Sequence, residues 1–228
     1  MAGRFVLPVT LNAIVTRNYF PTKERRQSEM TDEIDSKKSR LRQKIKTKRQ
    51  ALPQSYYHWA NEIISDKLVN FSIFNQAKRI LLFSSLPFEF NTQELIRFCF
   101  KQGIQVILPR VHGKSLDLYY IDESTTYQKS RYGILEPQAN SPQADISRLD
   151  LIILPCLSCN RQGQRLGYGG GYYDRLLADF KGITIIPYFD KLMTSDIPCK
   201  DYDIKADYII SESGIVSTNV SNDQLCPE

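Results

Sequence analysis

The sequence predicts an α/β fold, a three-layer αβα arrangement with a mostly parallel, Rossmann-like sheet. Three observations carry this. "RILLFSS" (79–85), "IQVILP" (104–109) and "LDLIILP" (149–155) are short apolar runs of strand length. Such continuous runs suit strands covered on both faces. Helical patterns alternate with them. The segment between the first two, "NTQELIRFCFKQG" (91–103), has the length of a parallel crossover.

Taken in order, a basic helix is expected over 36–50, with Leu41 and Ile45 on one face and Pro53 beyond its end. A second helix runs from about Tyr56 to Phe71, with Trp59, Ile63, Ile64 and Leu68 inward. In the crossover helix Asn91 serves as N-cap, Glu94 stands three residues on, and Gly103 is the stop. "LDLYYI" (116–121) alternates and reads as an edge strand, whereas 149–155 should be central. After it, Tyr173, Leu176, Leu177 and Phe180 fall at i, i+3, i+4 and i+7, an amphipathic helix. "ITIIP" (183–187) and "DYIIS" (207–211) complete the strands. The division expected is a disordered extension over 1–35, one domain over 36–212 and a tail over 213–228.

The composition is that of a globular protein, with 228 residues, 42% apolar and 24% charged. Between Lys37 and Arg49 lie eight basic residues and no acid; without them the net charge of +5 becomes −3. A mildly acidic body with one basic segment does not suit a nucleic-acid-coating protein. Five scattered cysteines form no disulfide framework, which favours a reducing, cytoplasmic setting. No apolar run is long enough to cross a membrane. The stretch "FVLPVTLNAIV" loosely resembles a targeting segment, but Pro8 and Asn12 interrupt it. A disordered extension is favoured, and Met30 is an alternative start.

The strongest signal is "RLGYGGGYYD" (165–174), with four glycines in five positions from Gly167 to Gly171. It follows the central strand, so it belongs at the carboxyl end of the sheet, where open α/β folds bind ligands. Glycines admit positive φ and let a ligand approach main-chain amides, and the next helix adds unpaired N–H groups. These features suit a phosphate. No Gly-Lys-Ser/Thr closes the loop, so it is not a Walker loop; Tyr172 replaces the third glycine of the dinucleotide fingerprint. A tight turn for helix–sheet packing is the competing reading. Asp174 reads equally as a partner of the helix dipole or as a magnesium ligand beside the phosphate.

"RLGYGGGYYDRLL", "KKSRLR", "SSLPFEFNT", "YGILEP" and "IPCKDYD", in this order over about residues 36 to 211, together resemble the 5-formyltetrahydrofolate cyclo-ligase (methenyltetrahydrofolate synthetase) family. The resemblance implies an ATP- and Mg2+-dependent ring closure yielding 5,10-methenyltetrahydrofolate, ADP and phosphate. It implies ATP contacts from Lys38, Ser39, Arg40, Leu41 and Arg42, and from Arg165, Leu166, Gly167, Tyr168, Gly169, Gly170, Gly171, Tyr172 and Tyr173. Arg42, Ser84, Glu89 and Tyr168 to Tyr172 would meet the folate. Arg165 and Asp174 would be catalytic, with Asp174 and Asp203 on the metal. Only small-molecule partners are implied, with no membrane and no nucleic acid, and a monomer is expected. A nucleotide- or RNA-binding relative without catalysis is the alternative.

Before the glycines the family usually reads Pro-Gly-Leu-Ala-Phe-Asp; here "PCLSCN" (155–160) brings Cys156, Ser158, Cys159 and Asn160. An aromatic wall at Cys159 is expected to be lost. Leu192 stands where the family tends to carry glutamine. The Cys156–Cys159 pair lacks the second pair of a zinc site and ends a strand, unlike a redox motif. His58 is expected to pack and His112 to face solvent.

Overall fold

The computed structural model describes residues 23–131 and 133–218. Its elements begin with helices α1 (Lys23–Ala51), α2 (Gln54–Val69) and α3 (Ser72–Gln76), then β1 (Arg79–Leu81), α4 (Gln93–Lys101), β2 (Gln105–His112) and β3 (Ser115–Ile121). A hairpin of β4 (Tyr127–Lys129) and β5 (Leu135–Pro137) precedes β6 (Leu151–Ile153), and a second, β7 (Ser158–Cys159) with β8 (Arg165–Leu166), follows it. Then come α5 (Tyr172–Leu177), β9 (Ile183–Pro187), β10 (Tyr208–Ser211) and β11 (Gly214–Ser217).

The main sheet has seven strands in the order β11-β10-β9-β6-β1-β2-β3. The five inner strands are parallel, and each edge strand pairs antiparallel with its neighbour. The fold is thus a three-layer α/β fold with β6 at the centre, as the run 149–155 predicts. Helices cover the sheet: α2 packs on β10, α4 on β2 and α5 on β3. The apolar runs explain the burial. Ile80, Leu81, Leu151, Ile152, Ile153, Ile185, Ile186 and Ile210 are inaccessible to solvent or nearly so. Each such side chain contributes roughly 1.5–3 kcal/mol relative to exposure.

Several expectations need correction. Helix α1 begins at Lys23, so residues 23–35 are helical and not a disordered extension; residues 1–22 lie outside the described residues. The tail from 213 opens with β11, because Gly214–Ser217 is apolar enough to close the sheet edge against β10. Residues 219–228 lie outside the described set. In α2, Trp59 is 48% exposed; it leans on Tyr56 while Tyr56, Tyr57, Ala60, Ile64 and Leu68 form the buried stripe. His58, expected to pack, is exposed and lies 3.3 Å from Glu62 one turn on. Thr92, not Asn91, occupies the N-cap of α4, while the Asn91 side chain accepts from the Gln93 amide at 3.0 Å.

Candidate active site

The carboxyl ends of β1 and β6, with the middle of β2, supply Ser84, Pro155 and Pro109 to the wall of one cavity of about 150 Å³. The glycine loop closes it from the other side through Gly167, Tyr168, Gly170 and Gly171, followed by Tyr172, Tyr173 and Asp174. Glu89, Arg165 and the buried Glu136 add to its polar lining, and Val111, Leu116 and Ile134 to its apolar lining. Two groups of residues far apart in sequence therefore share one space: Ser84 and Glu89 after β1, and Arg165, Gly167, Tyr168 and Gly170 to Asp174; Leu166 and Gly169 do not line it.

The loop conformation needs its glycines. Gly169 has φ +108° and Gly171, the N-cap of α5, has φ +64°. An added Cβ at Gly170 would fall 2.5 Å from the Tyr172 ring. Side chains at these positions are strained or blocked.

At the base of the loop, Arg165 donates to Asp174 at 2.6 Å. Its side chain is 5% exposed, and its Nε is buried without a hydrogen-bond partner. Tyr168 donates its phenol to Glu89, whose other oxygen accepts from the Leu86 amide at 2.7 Å. Burial pushes the Glu89 carboxyl above its ordinary value, against the opposing pull of the Tyr168 hydrogen bond and the Arg49 charge. Burial, then the nearby Glu89 charge, raises the phenols of Tyr168 and Tyr173, so both stay protonated as donors.

Helix α1 docks across this loop. Lys38, Arg42, Ile45 and Arg49 recur at i, i+4, i+7 and i+11, one helical face. Lys38 pairs with Asp203, Arg42 donates to the Gly167 carbonyl at 2.9 Å, and Arg49 donates to the Tyr168 oxygen at 2.9 Å. Asp35 adds an ion pair to Lys200 at 2.6 Å. Leu41 packs on Leu157, Leu166 and Ile197, so the side chains of Leu41 and Leu166 serve apolar docking. Ser39 and Arg40 are exposed, as are Lys37, Lys44, Lys46 and Lys48. Arg49 is the residue the sequence reading missed: it counted as one basic residue of eight, yet it is buried. The available signal was its place on the face of Ile45.

Of the metal-ligand pair expected at Asp174 and Asp203, each lines a recess of its own. Asp174 lines the cavity beside Gly170 and Gly171; Asp203 lines a neighbouring recess with Lys200 and Lys205, held by Lys38 and by the Lys200 amide at 2.7 Å. Arg165 borders both spaces. Among the described residues no three His, Cys, Asp or Glu side chains converge on one point. Mg2+ commonly takes only one or two carboxylates together with phosphate oxygens. A lone carboxylate beside an amide-rich loop fits a nucleotide-borne Mg2+, and Asp174 meets that description.

The altered loop 155–160 turns away from the cavity. Cys159 is fully buried in the core and Cys156 nearly so; only Pro155 reaches the wall. No cavity wall is therefore missing at Cys159. Both thiols are free, and burial raises that of Cys159, which suits packing rather than reactivity. Ser158 bonds the Leu192 carbonyl at 2.8 Å, and Asn160 closes the β7–β8 turn by accepting from the Gln162 and Gln164 amides. Leu192 is buried. His112, at the end of β2, is exposed beside Asp117.

A model of the 5-formyltetrahydrofolate cyclo-ligase family matches residues 34–212. The chain is 28% identical over 176 residues to a 5-formyltetrahydrofolate cyclo-ligase of Haemophilus influenzae, covering 74% of this chain and 94% of that one. It is 28% identical over 198 residues to one of Mus musculus, covering 81% and 98%. Among solved structures, the 5,10-methenyltetrahydrofolate synthetase of Aquifex aeolicus superposes with a TM-score of 0.74 at 26% identity, over 83% of this chain and 96% of that one.

Proposed function

The chain belongs to the 5-formyltetrahydrofolate cyclo-ligase family and is a ligase of that kind; from that premise we propose that it closes 5-formyltetrahydrofolate to 5,10-methenyltetrahydrofolate with MgATP, releasing ADP and phosphate. The observation that carries the reading is the single cavity bounded by Ser84 and Glu89 on one side and by Arg165, the glycine loop and Asp174 on the other.

The chemistry asked of it is positional. A formamide oxygen is a poor leaving group. It attacks the γ-phosphorus of ATP, ADP leaves, and the formyl carbon becomes electrophilic. N10 of the folate then attacks that carbon, its proton is lost, and the C–O bond breaks as phosphate departs. No side-chain nucleophile is required, so catalysis is orientation and charge stabilisation. The amides of Gly167 to Tyr172, with the Arg165 guanidinium beneath them, cradle the phosphates. Asp174 would hold Mg2+, which when bound would neutralise charge on the phosphate oxygens. Lys38 and Arg42 bring α1 over the nucleotide, and Asp203 anchors Lys38. Glu89, Ser84 and Tyr168 orient the pterin. The exposed lysines of α1 are solvated surface.

In this reading the protein acts on small molecules as a cytoplasmic monomer. Among the described residues no helix is long and apolar enough to cross a membrane. The test is the near-ultraviolet absorbance of the methenyl product. It should rise only when ATP, magnesium and 5-formyltetrahydrofolate are all present. No rise in the complete mixture overturns the proposal and favours a nucleotide- or RNA-binding relative without catalysis.

A further inference from the structure

The buried Arg49 has no part in the chemistry above, yet it touches both halves of the cavity wall. It sits in the last turn of α1, where the Tyr57 phenol donates to its carbonyl at 2.7 Å. Its Nη2 donates to the Cys156 carbonyl at 2.6 Å and its Nη1 to the Tyr168 oxygen at 2.9 Å. Nη1 also lies 3.9 Å from the Glu89 carboxylate, and the guanidinium lies 5.9 Å from the centre of the Tyr188 ring. Burial works against its charge, but Tyr188 and Tyr168 around it outweigh that, and the group is held more firmly protonated than usual.

Resting on the folate reading of the cavity, we propose that Arg49 is a positioning residue: its two-pronged guanidinium fixes the Tyr168 phenol and, through it, the Glu89 carboxylate in the arrangement that receives the substrate. The geometry favours this over a purely structural role. A buried arginine needed only to hold α1 would be satisfied by carbonyls such as that of Cys156. Here one prong is spent on the one tyrosine of the glycine loop that contacts Glu89. Tyr168 accepts from Arg49 and donates to Glu89, so its hydroxyl direction is set at both ends, and charge-assisted bonds of this kind are the strong ones. The post-β1 loop, the glycine loop and the start of the hairpin β7–β8 are thereby tied to one side chain on α1. The same fork explains why lysine is no substitute: it supplies a point charge without two parallel donors.

The test is a double-mutant cycle on the full chain with Arg49→Lys and Tyr168→Phe, read in KM for 5-formyltetrahydrofolate and in kcat separately. Each single variant should raise that KM by about tenfold, the loss expected for a charge-assisted hydrogen bond, with a smaller change in kcat. The double variant should be no worse than the worse single one, because both break the same chain of contacts. Circular dichroism and melting temperature report the fold; if Arg49→Lys does not fold, Arg49→Gln takes its place in the cycle. Losses that multiply in the double variant, or a melting temperature that falls while KM stays constant, overturn the proposal. A wild-type chain without turnover overturns the folate reading on which it rests, which the other two outcomes do not.

Discussion

The guanidinium of Arg165 and the carboxylate of Asp174 meet at 2.6 Å on the wall of the cavity, each fixing the other's position. Replacing Asp174 by asparagine keeps an acceptor for Arg165 but removes the charge. Turnover should fall at least about a hundredfold, the scale of losing one charged group that acts in the transition state. The fold should survive. Arg165 is buried and loses its counter-ion, so a loss of about 1–2 kcal/mol is expected, read as a drop of several degrees in melting temperature for a chain of this size. Failure to fold would assign Asp174 to stability instead.

Gly169→Val and Gly170→Val should damage nucleotide binding by two different routes. At Gly169 the backbone is left-handed, with φ +108°; at Gly170 the new Cβ would meet the Tyr172 ring at 2.5 Å. Strain of this kind costs on the order of 1–3 kcal/mol, so MgATP affinity by calorimetry should weaken about ten- to a hundredfold. Unchanged affinity in both would remove the loop from the site.

Lys38 and Asp203 allow a separation of docking from binding. Their side chains are 10% and 14% exposed, so Lys38→Gln strands a largely buried carboxylate. Melting temperature and ATP affinity should both fall, the first by the several degrees that about 1–3 kcal/mol represents. Adding Asp203→Asn should restore most of the melting temperature and none of the affinity. Restored affinity would mean that Lys38 acts only as a strut.

Glu89 carries a pH signature. Burial raises its folded-state pKa above the ordinary 4.5, so the folded protein holds this proton more tightly than the unfolded chain does. Its contribution to stability is complete below about 4.5 and declines as pH rises toward the folded value. Glu89→Gln cannot lose that proton. Urea unfolding of both proteins should show the variant gaining on the wild type from pH 4 to pH 7. A difference constant across that range would mean that Glu89 titrates alike in both states.

Much of this was legible in the sequence because strands and glycines announce themselves locally. The runs at 79, 104 and 149 became β1, β2 and β6, and the loop at 167–171 lies at the sheet's carboxyl end. What escaped was decided at long range. The helical period puts Arg49 on the face of Ile45 and Lys48 off it, but that this face would meet Tyr168 and Cys156 is settled more than a hundred residues away. Strands β7 and β8 have two residues each, too few for any period to register. The apolar period that places Trp59 inward with Ile64 and Leu68 does not distinguish it from Tyr56 and Tyr57, which take the inner face. The pairing of Asp203 with Lys38 follows from where residues 197–205 pack, which no spacing encodes.

Helix α1 leaves the ribosome before anything it will hold. Its partners at Cys156, Gly167, Tyr168 and Asp203 are 107, 125, 119 and 165 residues from Arg49, Arg42, Arg49 and Lys38 respectively. During synthesis its basic face has no destination until most of the polypeptide has been made, and such non-local closures are slow steps. Maturation of the enzyme should therefore finish with the seating of α1, and activity should lag behind formation of the sheet when the denatured protein is diluted into buffer.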